Sequence, residues 1–334
     1  MNFLWLVFGW RLGIFRGVCG VRCAMDSVGG SGILPGPFFV EQGKEPLIME
    51  KKLFYAPVEH PRCGDDLEHP WKYAVPAYRA APHVWQVGGQ DDVCAYLLDC
   101  GEELMLIDTG YRASFYLMLD RIWQLGYDPR RIRKILLSHW HWDHVNGARY
   151  LQELSGAEVW ISAIDEEQHQ LWKERTDPLP MVDYRADHFY DDCATIDLGR
   201  FSVHTRLTPG HTPGATSFWF DDTDETTGET FRCAMHGGLG VAMMAPEYLE
   251  RYDLPRQLPR VFVEDCLELA DRWKVDICLP SHLNQGNVKP NIPADRTDYR
   301  VWIDRAQWGE TMRGRAAAVR AMYPAGFDKS NEII

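Results

Sequence analysis

One short run constrains this chain more than any other feature. Residues 138–147 read Ser-His-Trp-His-Trp-Asp-His-Val-Asn-Gly, so His139, His141, Asp143 and His144 follow the pattern His-x-His-x-Asp-His. The residues before it, 131–137, are rich in Ile and Leu and read as a strand. Residues 145–156 have helical spacing and end at Gly156. The cluster therefore sits where a strand gives way to a helix. Residues two apart on a strand share a side, so His139 and His141 can converge on one ligand. Asp143 and His144 fall where the chain turns and can face a second point. Imidazole and carboxylate are the donors of catalytic zinc sites, whereas structural zinc sites lean on cysteine. The bland alternative is a surface histidine cluster without metal, and the apolar strand leading into it argues against that.

Two further histidines stand at the ends of apolar segments. His211 lies in Thr-Pro-Gly-His-Thr-Pro-Gly, where proline and glycine restrict or permit unusual backbone angles and so can fix a side chain's aim. His282 follows Val-Asp-Ile-Cys-Leu-Pro-Ser. Asp108, in Leu-Ile-Asp-Thr-Gly, either orients a ligand from behind or caps the turn at Gly110.

Elsewhere, residues 83–110 read as paired strands and residues 114–126 as a helix closed by Gly126. Strands are expected around residues 157–163, 201–208, 217–220 and 230–236, and at 275–279. A helix is expected from Pro259 to Trp273, because Phe262, Cys266, Leu269 and Trp273 share a face. Residues 165–192, polar and aromatic with Pro178 and Pro180, read as an inserted cap of helix and loop. The tail from Asp295 to Met322 reads as helical. Together these predict an α/β (α+β) chain, an αββα sandwich with two sheets between helices. Residues 1–48 read as a disordered extension or a misassigned start, and 49–334 as a single domain. The apolar stretch of residues 1–15 is too short to span a bilayer as a helix and lacks a basic start, although an atypical signal or anchor is the competing reading.

The 48 acidic residues outnumber the 35 basic ones, for a net charge of −13, which disfavours a nucleic-acid partner. The nine cysteines include no Cys-x-x-Cys pair, so neither a disulfide scaffold nor a thiolate zinc finger is expected. Reduced thiols in a cytoplasmic protein are the favoured reading.

Leu-Ile-Asp-Thr-Gly, Ser-His-Trp-His-Trp-Asp-His, Pro-Gly-His-Thr-Pro-Gly and Leu-Pro-Ser-His occur in an order that resembles the metallo-β-lactamase fold superfamily, over about residues 83–285. The resemblance implies that His139, His141 and His211 hold a first metal, and that Asp143, His144 and His282 hold a second. That set is similar to the B3 subclass of metallo-β-lactamases. Many relatives carry a bridging aspartate on the strand read here at residues 230–236, where this chain has His236, Gly237 and Gly238 instead. B3-type enzymes also lack that carboxylate. His236 is accordingly left outside the ligand set.

The resemblance implies a binuclear zinc hydrolase, with iron or manganese as other metals. Metal-bound hydroxide would attack a cyclic amide or ester, β-lactam-like first, with Asp143 orienting the nucleophile. A lactonase or hydroxyacyl-thioester hydrolase is the alternative within the class. A non-catalytic metal-binding protein of the same fold is the alternative outside it. A small molecule is the expected partner, and the sequence leaves the oligomeric state open.

Overall fold

Alternation along single strands sets up the layers. In the computed structural model, which describes residues 64–173, 181–251, 254–285 and 288–327, Tyr96 and Leu98 point into one core and Leu97 into another. Among the described residues the first sheet has seven strands in chain order. They are β1 (Tyr78–Ala81), β2 (Val84–Gln86), β3 (Tyr96–Asp99), β4 (Leu104–Ile107), β5 (Ile132–Leu136), β6 (Glu158–Ser162) and β7 (His188–Tyr190). Strands β1 to β4 pair antiparallel, and β4 to β7 pair parallel. The second sheet has five strands: β8 (Thr195–Leu198), β9 (Phe201–Leu207), β10 (Thr216–Asp224), β11 (Glu229–Met235) and β12 (Ile277–Cys278), in the order β12-β11-β10-β9-β8.

The helices are α1 (Asp65–Glu68), α2 (Phe115–Gln124), α3 (Trp142–Val145), α4 (Ala148–Ser155), α5 (Ala163–Trp172), α6 (Pro246–Arg251), α7 (Leu258–Arg272), α8 (Val288–Asn291) and α9 (Gln307–Ala321). Three apolar layers result. Between the sheets lie Tyr96, Leu98, Met105 and Ile107 from one side and Phe201, Val203, Phe218 and Phe220 from the other. Outside the first sheet, Leu97, Leu106 and Ile135 pack on Met118 and Ile122 of α2 and Leu151 of α4. Outside the second, Trp219 and Ala234 pack on Phe262, Cys266 and Leu269 of α7 and Trp308 and Met312 of α9. This is the expected αββα sandwich, and α2 and α4, which lie between β4 and β5 and between β5 and β6, pack on the same face of the first sheet.

The structure departs from the sequence expectations in three places. Residues 165–192 are framework at both ends rather than an insertion: α5 follows β6 directly, and β7 joins the sheet beside it. Residues 174–180 within that segment lie outside the described residues. The tail is helical only from Gln307. Before it, Asp298 and Asp304 accept from backbone N–H groups of the turns, and Trp302 donates to the Arg79 carbonyl, which holds the chain across β1. Finally, β1, β7 and β8 are strands that the pattern did not single out. Residues 1–48 lie outside the described residues. Among the described residues no helix is long and apolar enough to cross a membrane. Six cysteines there, Cys94, Cys100, Cys193, Cys233, Cys266 and Cys278, are free thiols.

Candidate metal centre

The loops that leave β4, β5, β9 and β12 at one rim bring the predicted residues together. Strand β5 stops at Leu136, so His139 and His141 stand on a loop rather than on the strand itself. That loop is shaped by Asp108, which follows β4 with φ at 58°, a left-handed conformation rare outside glycine. Its carboxylate accepts from the Ser138 N–H at 2.8 Å and the Ser138 hydroxyl at 2.8 Å. The hydroxyl, its proton given to Asp108, offers a lone pair to His139 Nδ1 at 3.0 Å. His139 Nε2 is then left bare, buried and without a partner.

His141 Nδ1 lies 3.1 Å from His211 Nε2. His211 Nδ1 donates to the Gly240 carbonyl at 3.0 Å, so its Nε2 also presents a lone pair. The approach requires glycine: a Cβ on Gly240 would stand 2.8 Å from His211 Cε1 and Nδ1. Atoms of His139, His141 and His211 that can bind a metal lie within 4.8 Å of one another.

Asp143, His144 and His282 form a tighter set. His144 Nε2 is 3.3 Å from His282 Nε2 and 3.4 Å from Asp143 Oδ2, and Asp143 Oδ2 is 3.6 Å from His282 Nε2. Donors about 2.0–2.2 Å from a tetrahedral zinc ion stand about 3.3–3.6 Å apart, which is the spacing seen. Each imidazole is braced from behind. His144 Nδ1 meets Asp108 Oδ2 at 2.7 Å, and His282 Nδ1 meets Asp92 Oδ1 at 3.0 Å. Carboxylates only accept, so both Nδ1 atoms carry protons and both Nε2 lone pairs face each other. Such an arrangement repels unless a proton or a cation lies between. The donor set and the bare His139 nitrogen fit divalent metal.

The electrostatics agree. Burial drives His139 and His141 well below the usual histidine range, with neighbouring imidazoles adding to it. Burial also brings His211 down to about 4. All three are neutral near pH 7, as metal ligands must be. Burial would depress His144 too, but Asp143 and Asp108 outweigh it and push it up to about 10. Burial works against charge on Asp143, yet His144 and His282 keep it below the ordinary carboxylate range. Without metal, this half of the site draws in a proton, which marks a place that favours positive charge.

All six residues of the predicted ligand set stand at this rim, and Asp108 supports them. Asp108 braces His144 and Ser138 rather than only capping a turn. His236 follows β11 and is buried with its ring 5.7 Å from Phe262 of α7, and it belongs to neither group of convergent ligand atoms. Burial lowers it to about 3. Sequence reasoning missed Asp92, Tyr111 and Asp165. Tyr111 donates to Asp92 Oδ2 at 2.6 Å, and Asp165 accepts from both histidine-bearing loops. Asp92 and Asp165 lie far along the chain from their partners, in segments with no motif, so only contact in space finds them.

Comparison with known proteins places this rim in a family. Residues 88–224 match the metallo-beta-lactamase superfamily. An uncharacterized protein of Mycobacterium leprae is 30% identical over 221 residues, 58% of this chain and 88% of that protein. A hydroxyacylglutathione hydrolase of Jannaschia sp. is 34% identical over 96 residues, but the match spans only 29% of this chain and 32% of that relative. Among solved structures, a metallo-beta-lactamase of Cronobacter sakazakii has a TM-score of 0.65 at 28% identity, covering 75% of this chain and 98% of that one. A subclass B3 metallo-beta-lactamase of Bradyrhizobium japonicum has a TM-score of 0.62 at 20% identity, over 77% of this chain and 96% of that one, a likeness of fold. From the domain match, the relative covered over 88% of its length and the two-sheet architecture shared with solved metallo-beta-lactamases, the chain belongs to the metallo-beta-lactamase superfamily.

Proposed function

We propose that this protein is a hydrolase with two zinc ions that opens a cyclic amide or ester, a β-lactam-like small molecule first. His139, His141 and His211 would hold one ion, and Asp143, His144 and His282 the other. The observation that carries the reading is the Asp143–His144–His282 set, whose ligand atoms stand 3.3–3.6 Å from one another. When bound, the cations supply a water whose pKa falls from about 15.7 towards about 7, and they polarise a carbonyl.

The residues do the rest. Asp108 and Asp92 fix the ring orientation of His144 and His282 from behind, so those side chains need no rearrangement. Gly240 does the same for His211. Asp143, ionised and buried, accepts a hydrogen bond from the attacking water and aims it. Trp140 and Trp142 are buried in the apolar layer outside the first sheet, and the Trp140 ring stands 4.8 Å from that of His141, which helps to hold that ring in place.

The β-lactam-like substrate class is supported by the 28% identity to the Cronobacter sakazakii enzyme over nearly all of that chain. It is supported also by the run of His236, Gly237 and Gly238 where a bridging carboxylate would stand in other members. A hydroxyacyl-thioester hydrolase is the second reading, favoured by partial matches to hydroxyacylglutathione hydrolases, one of them 27% identical over 154 residues in Haemophilus influenzae. Chromogenic β-lactam, lactone, thioester and phosphodiester substrates, run with zinc-loaded and chelated protein, separate the readings. Fastest turnover is expected on the β-lactam, abolished by chelator. Fastest turnover on the thioester would reverse the substrate assignment. No turnover of any by zinc-loaded protein would favour a non-catalytic binding role.

A further inference from the structure

A buried carboxylate outside the ligand set joins the two loops that carry the first group of histidines. Asp165, in the first turn of α5, has no exposed surface. Its Oδ2 accepts from the Trp140 N–H at 3.0 Å and from the Thr212 hydroxyl at 2.7 Å, and its Oδ1 accepts from the Gly214 N–H at 2.7 Å. Trp140 lies between His139 and His141, and Thr212 follows His211. One oxygen atom thus ties together the segments that must converge for all three imidazoles to meet.

The surrounding contacts make this a rigid tie. The Ser162 hydroxyl donates to the Gly214 carbonyl at 2.8 Å and accepts from the Asp165 N–H at 3.2 Å, so the helix end and the second loop are bound twice. The loop presses so closely on the carboxylate that a Cβ on Gly214 would lie 2.5 Å from Asp165 Oδ1. Two N–H groups and a hydroxyl converge on acceptors, and an amide at residue 165 would turn an N–H donor towards one of them. His282 is braced by Asp92, and His144 by Asp108, neither of which depends on residue 165.

We infer that Asp165 is a positioning residue which sets how tightly His139, His141 and His211 hold their cation, while the Asp143–His144–His282 set is independent of it. The inference rests on the two-cation reading above. Residues that orient ligands from behind alter metal affinity by about 10–100-fold when changed.

The test is a zinc titration of metal-free protein by calorimetry with a competing chelator. Wild type, Asp165→Asn, Thr212→Val and Asp92→Asn are compared, with His141→Ala marking the step that belongs to the first group. Thermal melts of the metal-free proteins report folding. Asp165→Asn should weaken the step that His141→Ala removes by about 10–100-fold and leave the other step within about threefold. Thr212→Val, which removes one of the three bonds and keeps the carboxylate, should weaken the same step less. Asp92→Asn should weaken the other step. Unchanged affinities in Asp165→Asn and Thr212→Val overturn the inference. Equal loss of both steps in Asp165→Asn also overturns it, since that is what a merely structural residue would give. If Asp165→Asn does not fold, Thr212→Val decides by the same criterion. Wild type that shows two steps beside unaffected variants refutes this inference alone, whereas wild type that takes up no zinc refutes the metal reading beneath it.

Discussion

The Asp108 carboxylate faces the Ser138 hydroxyl and the His144 ring at once, so one side chain fixes the aim of His144 and, through Ser138, that of His139. Its left-handed backbone angle is the local cost of that placement. Replacing Asp108 by Asn should therefore weaken zinc at both groups, by about 10–100-fold, as read by chelator competition; an effect confined to one group would contradict the double bracing. If Asp143 aims the water as proposed, Asp143→Asn should lower kcat by about 10²–10⁴-fold in steady-state assays of zinc-replete enzyme. A rate within about threefold of wild type would take Asp143 out of the chemistry. At this scale the histidines were legible because metal donors cluster in few spacings, and Pro-Gly-His-Thr-Pro-Gly is a rigid setting for one of them. Asp92 and Asp165 were not, because a lone aspartate in a segment without periodicity looks like any solvated or capping residue.

Elements carry the site by ending where they do. β4 and β5 run parallel in register from Met105 beside Lys134 to Ile107 beside Leu136, and so deliver Asp108 and the histidine loop to the same rim. α7 supports the opposite side. Phe262 is fully buried, and its ring fills the space where a side chain at Gly210 would lie, so the loop bearing His211 rests directly on the helix. Phe262→Ala should cost about 3–5 kcal/mol in urea unfolding and also loosen zinc at the first group. A loss below about 1 kcal/mol would mean that the loop does not lean on α7. The longer elements, β5, β6, α2 and α7, were readable because their apolar residues recur at one period over several residues. The short strands β1, β7 and β8 were not, since strands of three or four residues offer too few repeats and owe their form to neighbouring strands. The stretch before α9 misled for a related reason: its composition suits a helix, but aspartate side chains and Trp302 satisfy its backbone elsewhere.

For the molecule as a whole, two sheets back to back leave one rim where several loops meet, and the cluster of neutral imidazoles there leaves a mark on stability. Burial lowers His139, His141, His211 and His236, with His211 at about 4 and His236 at about 3. Between those values and the unfolded value of about 6.5 the unfolded chain binds more protons, so stability falls as pH drops through that window. Burial raises Asp165 to about 7 and raises Asp222, and these act in the opposite direction above the usual carboxylate range, but they are outnumbered. His144, raised to about 10, contributes stability that is fully present below about 6.5 and lost as pH climbs towards 10. Metal-free protein should accordingly melt at a lower temperature at pH 5 than at pH 7; a higher melting temperature at pH 5 would contradict this balance. The sandwich was legible in the alternation of strands and helices, since few architectures can bury such a pattern. The choice of substrate was not, because it depends on the wall of the pocket rather than on the ligands that the motifs specify.

The most direct measurement is the number of zinc ions carried by folded wild-type protein, counted by native mass spectrometry after loading and removal of excess metal. The account predicts two per chain, falling to one in His282→Ala. A folded wild-type chain that retains none, or that retains two without His282, would contradict it.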